Sequence, residues 1–151
     1  MVRYSAADTS LGTLDLAGVT RMILRVGVGL LFLQHGLQKV FGMLGGRAVP
    51  LDSMMGVAGL LELTGGVLMT LGLFTRPVAA VLLIEMLAAY VMAHHPRGGF
   101  PAQNGGEIPL LFALVFVDFA GNGAGRLSVD AALGRSGRAA GARDRDALRA
   151  T

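Results

Sequence analysis

Four long apolar segments, separated by short polar breaks, dominate the pattern of hydrophobic and polar positions along this chain. The segments are 17–41, 53–74, 77–93 and 108–120. A helix needs about 20 apolar residues to cross about 30 Å of hydrocarbon. The first two segments are long enough, the third is marginal, and the fourth reaches that length only if it extends from Gly105 through Asn122. The pattern therefore predicts four transmembrane helices.

The breaks between the segments carry the residues that end helices. Glycines at 42, 45 and 46 close the first segment, and Thr75-Arg76-Pro77 predicts a tight turn with proline at a first helical position. The stretch 94–101, with two prolines and two glycines, predicts a rigid loop, and 121–125 ends the fourth segment. The predicted fold is an all-α integral membrane four-helix bundle.

Composition supports the membrane assignment and excludes several kinds of chemistry. The chain is 53% hydrophobic and only 15% charged, with a mean hydropathy of +0.60, whereas soluble domains carry about 25% charged residues. The absence of cysteine excludes disulfides, thiol catalysis and cysteine-ligated clusters. The basic residues lie at segment ends and in the tail, which indicates contact with lipid headgroups and no nucleic-acid partner.

The distribution of basic residues predicts the orientation, because cytoplasmic loops carry an excess of Lys and Arg. With both termini cytoplasmic, ten arginines face the cytoplasm, and only Lys39, Arg47 and Arg97 face outward. We therefore expect a multi-pass protein of the bacterial cytoplasmic membrane. Its predicted parts are a cytoplasmic segment 1–15, a transmembrane domain 16–133 and a basic, Ala/Gly/Arg-rich flexible tail 134–151.

Ionisable side chains inside the apolar segments are the strongest indication of a functional site. Glu62, Glu85 and Asp118 each lie within such a segment, and His35 and Lys39 lie in the first one. A charge at the bilayer centre costs about 2.5–3.5 kcal/mol on insertion scales, so these groups must pair or line a polar cavity. Carboxylic acids in that setting could also carry protons.

Helical geometry sorts these residues into two groups by face and depth. At about 100° per residue, His35 and Lys39 share a stripe on the first helix, and Glu62 shares a face with Gly59 and Gly66, which permit close helix approach. The depth of these side chains in the membrane, estimated from their distance to the helix ends, then predicts one polar pocket in the outer half of the bundle. Its candidate residues are His35, Lys39, Glu62, Glu85 and Glu107.

The second group lies toward the cytoplasmic end, where Arg21 or Arg25 is expected to form a structural ion pair with Asp118. Arg21 could instead extend to the headgroups. His94 and His95 are weak metal-ligand candidates, because adjacent histidines on a helix point about 100° apart. No metal is predicted.

Taken together, these residues resemble the DoxX family of small bacterial four-helix membrane proteins. The resemblance covers 16–133 and rests on the order and spacing of several short elements. These are Arg25 and Phe32-Leu-Gln-His-Gly-Leu-Gln-Lys-Val-Phe-Gly42, then Gly59-Leu-Leu-Glu-Leu-Thr-Gly-Gly66, Gly72-Leu-Phe-Thr-Arg-Pro77, the helix of Glu85, Phe100 with Gly106-Glu107, and Gly121-Asn-Gly-Ala-Gly-Arg-Leu-Ser-Val-Asp130.

The resemblance implies a link to quinone-dependent oxidoreductases, since the family is named for its similarity to a subunit of a thiosulfate:quinone oxidoreductase. The pocket would then bind a quinone head group or a small anionic solute. Lys39 would supply positive charge, His35 a hydrogen bond, and Glu62 or Glu85 a proton. Electrons would come from a redox partner protein, because no side chain here could hold them. A membrane scaffold for a partner complex, a proton-coupled solute module and a homo-oligomer stay open.

Overall fold

The computed structural model describes residues 16–134, and every regular element among them is helical. The predicted segment 1–15 and all of the predicted tail except Gly134 lie outside the described residues. The helices, in chain order, are α1 Leu16–Phe41, α2 Met54–Leu71, α3 Thr75–Ala89, α4 Pro101–Asn104 and α5 Glu107–Asn122, and residues 129–134 are also helical. Beyond α3 the chain continues through a π-turn, Tyr90–His94, and a 3₁₀-turn, His95–Arg97.

Three of these helical segments are long and apolar enough to cross a membrane: Leu16–Phe41, Met54–Leu71 and Thr75–Arg97. The fourth long helix, α5, has 16 residues, or about 24 Å at 1.5 Å per residue, which is shorter than the hydrocarbon core. The third span is longer than the apolar segment 77–93 that predicted it. The expected rigid loop after residue 93 is wrong in its first half, because the helix continues to Arg97.

The ends of α2 and α3 are fixed by hydrogen bonds to groups at their termini. Ser53 caps α2, with its hydroxyl accepting from the Gly56 N–H at 3.0 Å, and Gly72 ends the helix at a φ of 68°. The start of α3 uses a remote cap. The Asp130 carboxylate accepts from the Phe74 and Thr75 N–H groups at 2.8 and 2.9 Å, which ties 123–134 to the turn between α2 and α3.

Glycines bring α1 and α2 into close contact, as the shared face of Glu62, Gly59 and Gly66 predicts. A Cβ added at Gly66 would lie 2.5 Å from the Leu33 nitrogen, and one at Gly29 would lie 2.7 Å from the Thr70 nitrogen. In a membrane, helix association depends on this close packing and not on a hydrophobic driving force. The α1–α2 pair therefore forms one rigid half of the structure.

We expect Gly66→Ala to lower the free energy of unfolding by about 1–3 kcal/mol, the usual cost of overpacking, because the added methyl meets backbone atoms of α1. Gly27→Ala in the same helix pair is the matched control, since nothing lies within 4 Å of its added Cβ. This control should be neutral or stabilising by up to about 1 kcal/mol through helix propensity. Thermal unfolding in detergent micelles measures both, and equal melting temperatures would contradict the packing account.

The second half of the structure is α3 packed against α5, and aromatic rings join it to α1. Phe32 contacts Phe112 and Phe116 edge-on, with ring centroids 4.9 and 4.8 Å apart, and Phe32, Phe116 and Phe119 are at most 1% exposed. On the opposite side of α5, Leu111 and Leu114 are more than 60% exposed. An apolar outer surface of this kind is suited to lipid.

Between these halves, α2 and α3 contact each other less extensively. We call the end of the structure that holds 42–53 and 95–106 the Lys39 end, and the end that holds 72–74 and 123–134 the Arg21 end. Helices α1 and α3 run toward the Lys39 end, and α2 and α5 run back from it.

Candidate functional site

Two cavities meet near the Lys39 end. The larger, about 460 Å³, lies in the seam between α2 and α3. The smaller, about 240 Å³, lies among α1, α3 and α5. The side chains that line both are Lys39, Glu62, Met86, Ala89 and His94. The two cavities are therefore on either side of one polar cluster.

At the centre of this cluster, Lys39 forms an ion pair with Glu62, with 2.6 Å between Nζ and Oε1. Glu62 is only 4% exposed, and its second oxygen, Oε2, is buried without a hydrogen-bond partner. A buried carboxylate requires a nearby positive charge. The sequence places both residues in one pocket, and the structure shows that they are bonded to each other.

Glu85 has no such partner. Both of its carboxylate oxygens are buried, and neither makes a hydrogen bond. The side chain lines the larger cavity together with Lys39 and Glu62. An unpaired buried carboxyl group is costly, which makes it the polar group in this cavity best placed to meet a ligand or to hold a proton.

The remaining predicted pocket residues differ in their placement. His35 is exposed on α1 but lines the smaller cavity. Glu107 lines neither cavity and is exposed, so its assignment to the pocket is corrected. It is the first residue of α5, where the N-terminal helix dipole favours an anion facing solvent, and its neighbours Ile108 and Pro109 line the smaller cavity instead.

His94 is the pocket residue that the sequence analysis missed. Its Nδ1 lies 3.1 Å from the Asn104 carbonyl oxygen, whereas His95 is exposed and packs edge-on against Tyr90. The π-turn at 90–94 adds a residue to one helical turn, which rotates the following side chains by about 100°. Only a signal for that turn could have revealed the placement. No cluster of three His, Cys, Asp or Glu residues suitable for a metal occurs within 16–134.

At the Arg21 end, the ion pair is made by Arg21 and not by Arg25. Arg21 Nη2 lies 3.0 Å from Asp118 Oδ2, and the same guanidinium donates to the Gly123 carbonyl and lies over the Phe119 ring. Asp118 also accepts from the Asn122 side chain at 2.6 Å. These contacts link the start of α1 to the end of α5, which is a structural role.

Arg25 is 2% exposed, and its hydrogen bonds correct the expectation that it could pair with Asp118. It donates instead to the main-chain carbonyls of Met69, Thr70 and Leu127, at 2.6, 2.6 and 2.8 Å. The first two carbonyls are among the last four of α2, which have no partner within the helix. Arg25 thus caps α2 and fastens 123–134 to it.

An apolar cavity of about 230 Å³ adjoins the polar site along the α2–α3 seam. It shares Leu61 and Val81 with the larger cavity and extends toward Leu68 and Pro77 at the Arg21 end. Two residues at the rim of the larger cavity, Met54 and Ile84, are more than 60% exposed on the outer surface. The seam therefore holds a mainly apolar cavity with a cluster of polar side chains, and an apolar groove adjoins that cavity.

Known proteins with similar sequences include membrane proteins. A protein of Haemophilus influenzae with no assigned function is 41% identical over 114 residues, covering 71% of this chain and 85% of its own length. A membrane protein of Mycobacterium tuberculosis, also uncharacterised, is 35% identical over 80% of this chain and 85% of its own. A Bacillus subtilis protein provisionally named an oxidoreductase, CatD, is 32% identical over 72% and 83%. No solved structure matches significantly.

Residues 20–95 match the DoxX family profile, a range that contains Lys39, Glu62, Glu85 and His94. The match and the relatives confirm the resemblance drawn from the sequence motifs, and the apolar helices agree with location in the bacterial cytoplasmic membrane. The chain belongs to the DoxX family of multi-pass membrane proteins.

Proposed function

We propose that this chain is a quinone-binding subunit of a membrane oxidoreductase, with the quinone head group in the cavity between α2 and α3. The observation that carries the proposal is Glu85, whose two buried oxygens have no partner and border a cavity of about 460 Å³ beside the Lys39–Glu62 ion pair. That volume lies within the usual range for ligand sites, about 300–1,000 Å³.

The shape and lining of the seam favour a quinone over a small water-soluble solute. The cavity wall is mainly apolar, with polar side chains gathered at Lys39, Glu62, Glu85 and His94, and apolar pockets with a few convergent polar groups suit ligands of mixed character. The adjoining groove past Leu61 and Val81 is apolar throughout most of its lining. A head group could meet the polar residues while an isoprenoid tail follows the groove into lipid.

The residues of this chain would supply binding, charge and a proton. A bound quinone takes up two electrons and two protons when it is reduced. Lys39 would stabilise negative charge at a ring oxygen, Glu62 would hold the Lys39 ammonium in place, and Glu85 would deliver one of the two protons to that oxygen. The second proton, for the other ring oxygen, would come from water at the Lys39 end. Because the chain contains no cysteine, we assign the electrons to a redox partner protein.

We also propose that α5 completes a four-helix bundle with both termini in the cytoplasm. The ten arginines assigned to the Arg21 side, against three basic residues on the other, support this orientation. Glu107 at one end of α5 and the Arg21–Asp118 pair at the other bracket its apolar length, and local thinning of the bilayer accommodates a short helix at modest cost. The quinone site then lies in the outer half of the membrane.

We expect Glu85→Gln to slow quinone reduction by about a hundredfold, the usual range for loss of a positioned acid. Quinone binding should change little, because the amide keeps the size of the side chain and can still make a hydrogen bond. The rate is measured in native membranes with decylubiquinone and a menaquinone analogue. Binding is measured on the purified chain in lipid nanodiscs by the amount of quinone retained.

Glu107→Gln is the matched control, because it makes the same chemical change at an exposed carboxylate outside both cavities. Its rate should equal that of the unmodified protein. Equal rates for Glu85→Gln and the unmodified chain, or no retention of either quinone, would overturn the proposal. If the unmodified chain retains no quinone but still co-purifies with a partner complex, the scaffold hypothesis would be favoured instead.

A further inference from the structure

His94 has no assigned step in the proposed quinone chemistry. It lies at the end of the π-turn Tyr90–His94 and lines both cavities. A π-turn has poorer hydrogen-bond geometry than an α-helix and occurs frequently at functional sites. Without the added residue, a different side chain of the same helix would face the cavities. The turn therefore directs this imidazole to the polar cluster.

The hydrogen bond at Nδ1 fixes which ring nitrogen carries the proton. A carbonyl oxygen only accepts, so the 3.1 Å contact with the Asn104 carbonyl places the proton of the neutral ring on Nδ1. Nε2 is then left as an acceptor. Asn104 is itself rigidly held, since it is 5% exposed and its side chain donates to the Gly98 carbonyl and accepts from the Gly106 N–H, both at 2.8 Å.

The cavities that His94 lines are also lined by ionisable groups from three helices. Lys39 and His35 come from α1, Glu62 from α2 and Glu85 from the same helix, whereas α5 contributes only Ile108, Pro109 and Phe112. Lys39 and Glu62 are bonded to each other. Among the groups that share a cavity with His94, Glu85 is therefore the carboxylate without a partner.

We propose that His94 is a proton relay between water at the Lys39 end and the Glu85 carboxylate. Nε2 takes a proton from water, giving an imidazolium and a hydroxide that returns to solvent. The Nε2 proton then passes through cavity water to a Glu85 oxygen, which leaves the imidazole neutral and the carboxyl group protonated. The net result is one proton moved inward, with no electron transferred. Only the final use of that proton in quinone reduction rests on the proposed function.

The test follows the arrival of the proton directly. The protein in lipid nanodiscs is subjected to a rapid pH jump, and the carboxylic-acid C=O stretch of Glu85 is followed by time-resolved infrared spectroscopy, with Glu85→Gln identifying the band. We expect His94→Gln to slow the appearance of this band by about a hundredfold. His95→Gln is the matched control and should leave the rate unchanged, since His95 is exposed and packs on Tyr90.

His94→Gly tests the same step if the glutamine variant is poorly folded. It leaves a space that added imidazole can fill, so imidazole should restore the rate at least tenfold, a recovery that a purely structural role for His94 would not give. Equal rates in His94→Gln and His95→Gln, or no imidazole rescue in a folded His94→Gly, would overturn the relay. A His94-dependent proton rate in a protein that retains no quinone would leave the relay standing and remove the quinone proposal.

Discussion

Replacing Arg25 by methionine is expected to lower the free energy of unfolding by about 3–5 kcal/mol. The guanidinium makes three hydrogen bonds to carbonyls of Met69, Thr70 and Leu127, and hydrogen bonds to a charged group contribute about 1.5–3 kcal/mol each. Methionine fills much of the volume but donates nothing, so all three carbonyls lose the guanidinium, although that of Met69 keeps another donor, the Gly72 N–H at 3.1 Å. The fall in the thermal unfolding midpoint in detergent micelles measures the loss.

Two further substitutions make this expectation specific. Arg47→Met is the matched control, because Arg47 is exposed in the segment between α1 and α2, and it should change stability by less than about 0.5 kcal/mol. Arg25→Lys keeps the charge. However, a single ammonium cannot replace the planar guanidinium, whose nitrogens reach carbonyls both in α2 and in 123–134. It should therefore recover only part of the loss. If Arg25→Met is as stable as the parent, the role of Arg25 in joining α2 to 123–134 would be contradicted.

The ion pair at the other end should give the second large effect. Lys39→Met leaves the Glu62 carboxylate, 4% exposed, without its counter-charge, and breaking a buried pair in this way costs about 3–5 kcal/mol. The double variant Lys39→Met with Glu62→Gln removes both charges. It should recover most of that stability, because no isolated charge is left in the interior. Unfolding of the two single variants, the double variant and the parent completes a double-mutant cycle.

This cycle also separates a structural ion pair from a functional one. If Lys39 serves only to neutralise Glu62, the double variant should recover both stability and quinone reduction. Under the proposed function it should recover stability alone, because the positive charge next to the ring oxygen is still missing. Arg21→Met with Asp118→Asn at the Arg21 end is the control pair, and its double variant should leave quinone reduction unchanged. Recovery of both properties at Lys39 would contradict the assigned role.

The sequence located most of the candidate site because burial of charge in an apolar segment is a local property. Glu62 and Glu85 are conspicuous in the printed sequence, and the structure brings both, with Lys39, to one cavity. Glu107 was assigned to the pocket because it lies at the start of the fourth helix on the same side as Lys39, but the sequence could not predict that its side chain is exposed outside both cavities. His94 was missed because a π-turn breaks the regular 100° increment on which such geometry depends.

The partners of Arg21 and Arg25 likewise could not be predicted from the sequence alone. Both arginines lie on α1, four residues or about one helical turn apart, so the sequence allows either one to reach an acidic residue on a neighbouring helix. Their partners depend on where α2 ends and where 123–134 folds back. Arg25 donates to main-chain carbonyls there, whereas Arg21 pairs with Asp118.

The sequence by itself determined that this chain is helical, that it belongs in a membrane and that its apolar segments hold costly charges, because hydropathy, period and charge are carried by each residue and its near neighbours. Tertiary structure alone decided which charges are paired, that Glu85 has no partner, and that His94 and not Glu107 borders the cavities. Those outcomes depend on distances between residues far apart in the chain. They were set by glycine contacts between α1 and α2, by the less extensive contact between α2 and α3, and by the added residue in the π-turn at 90–94.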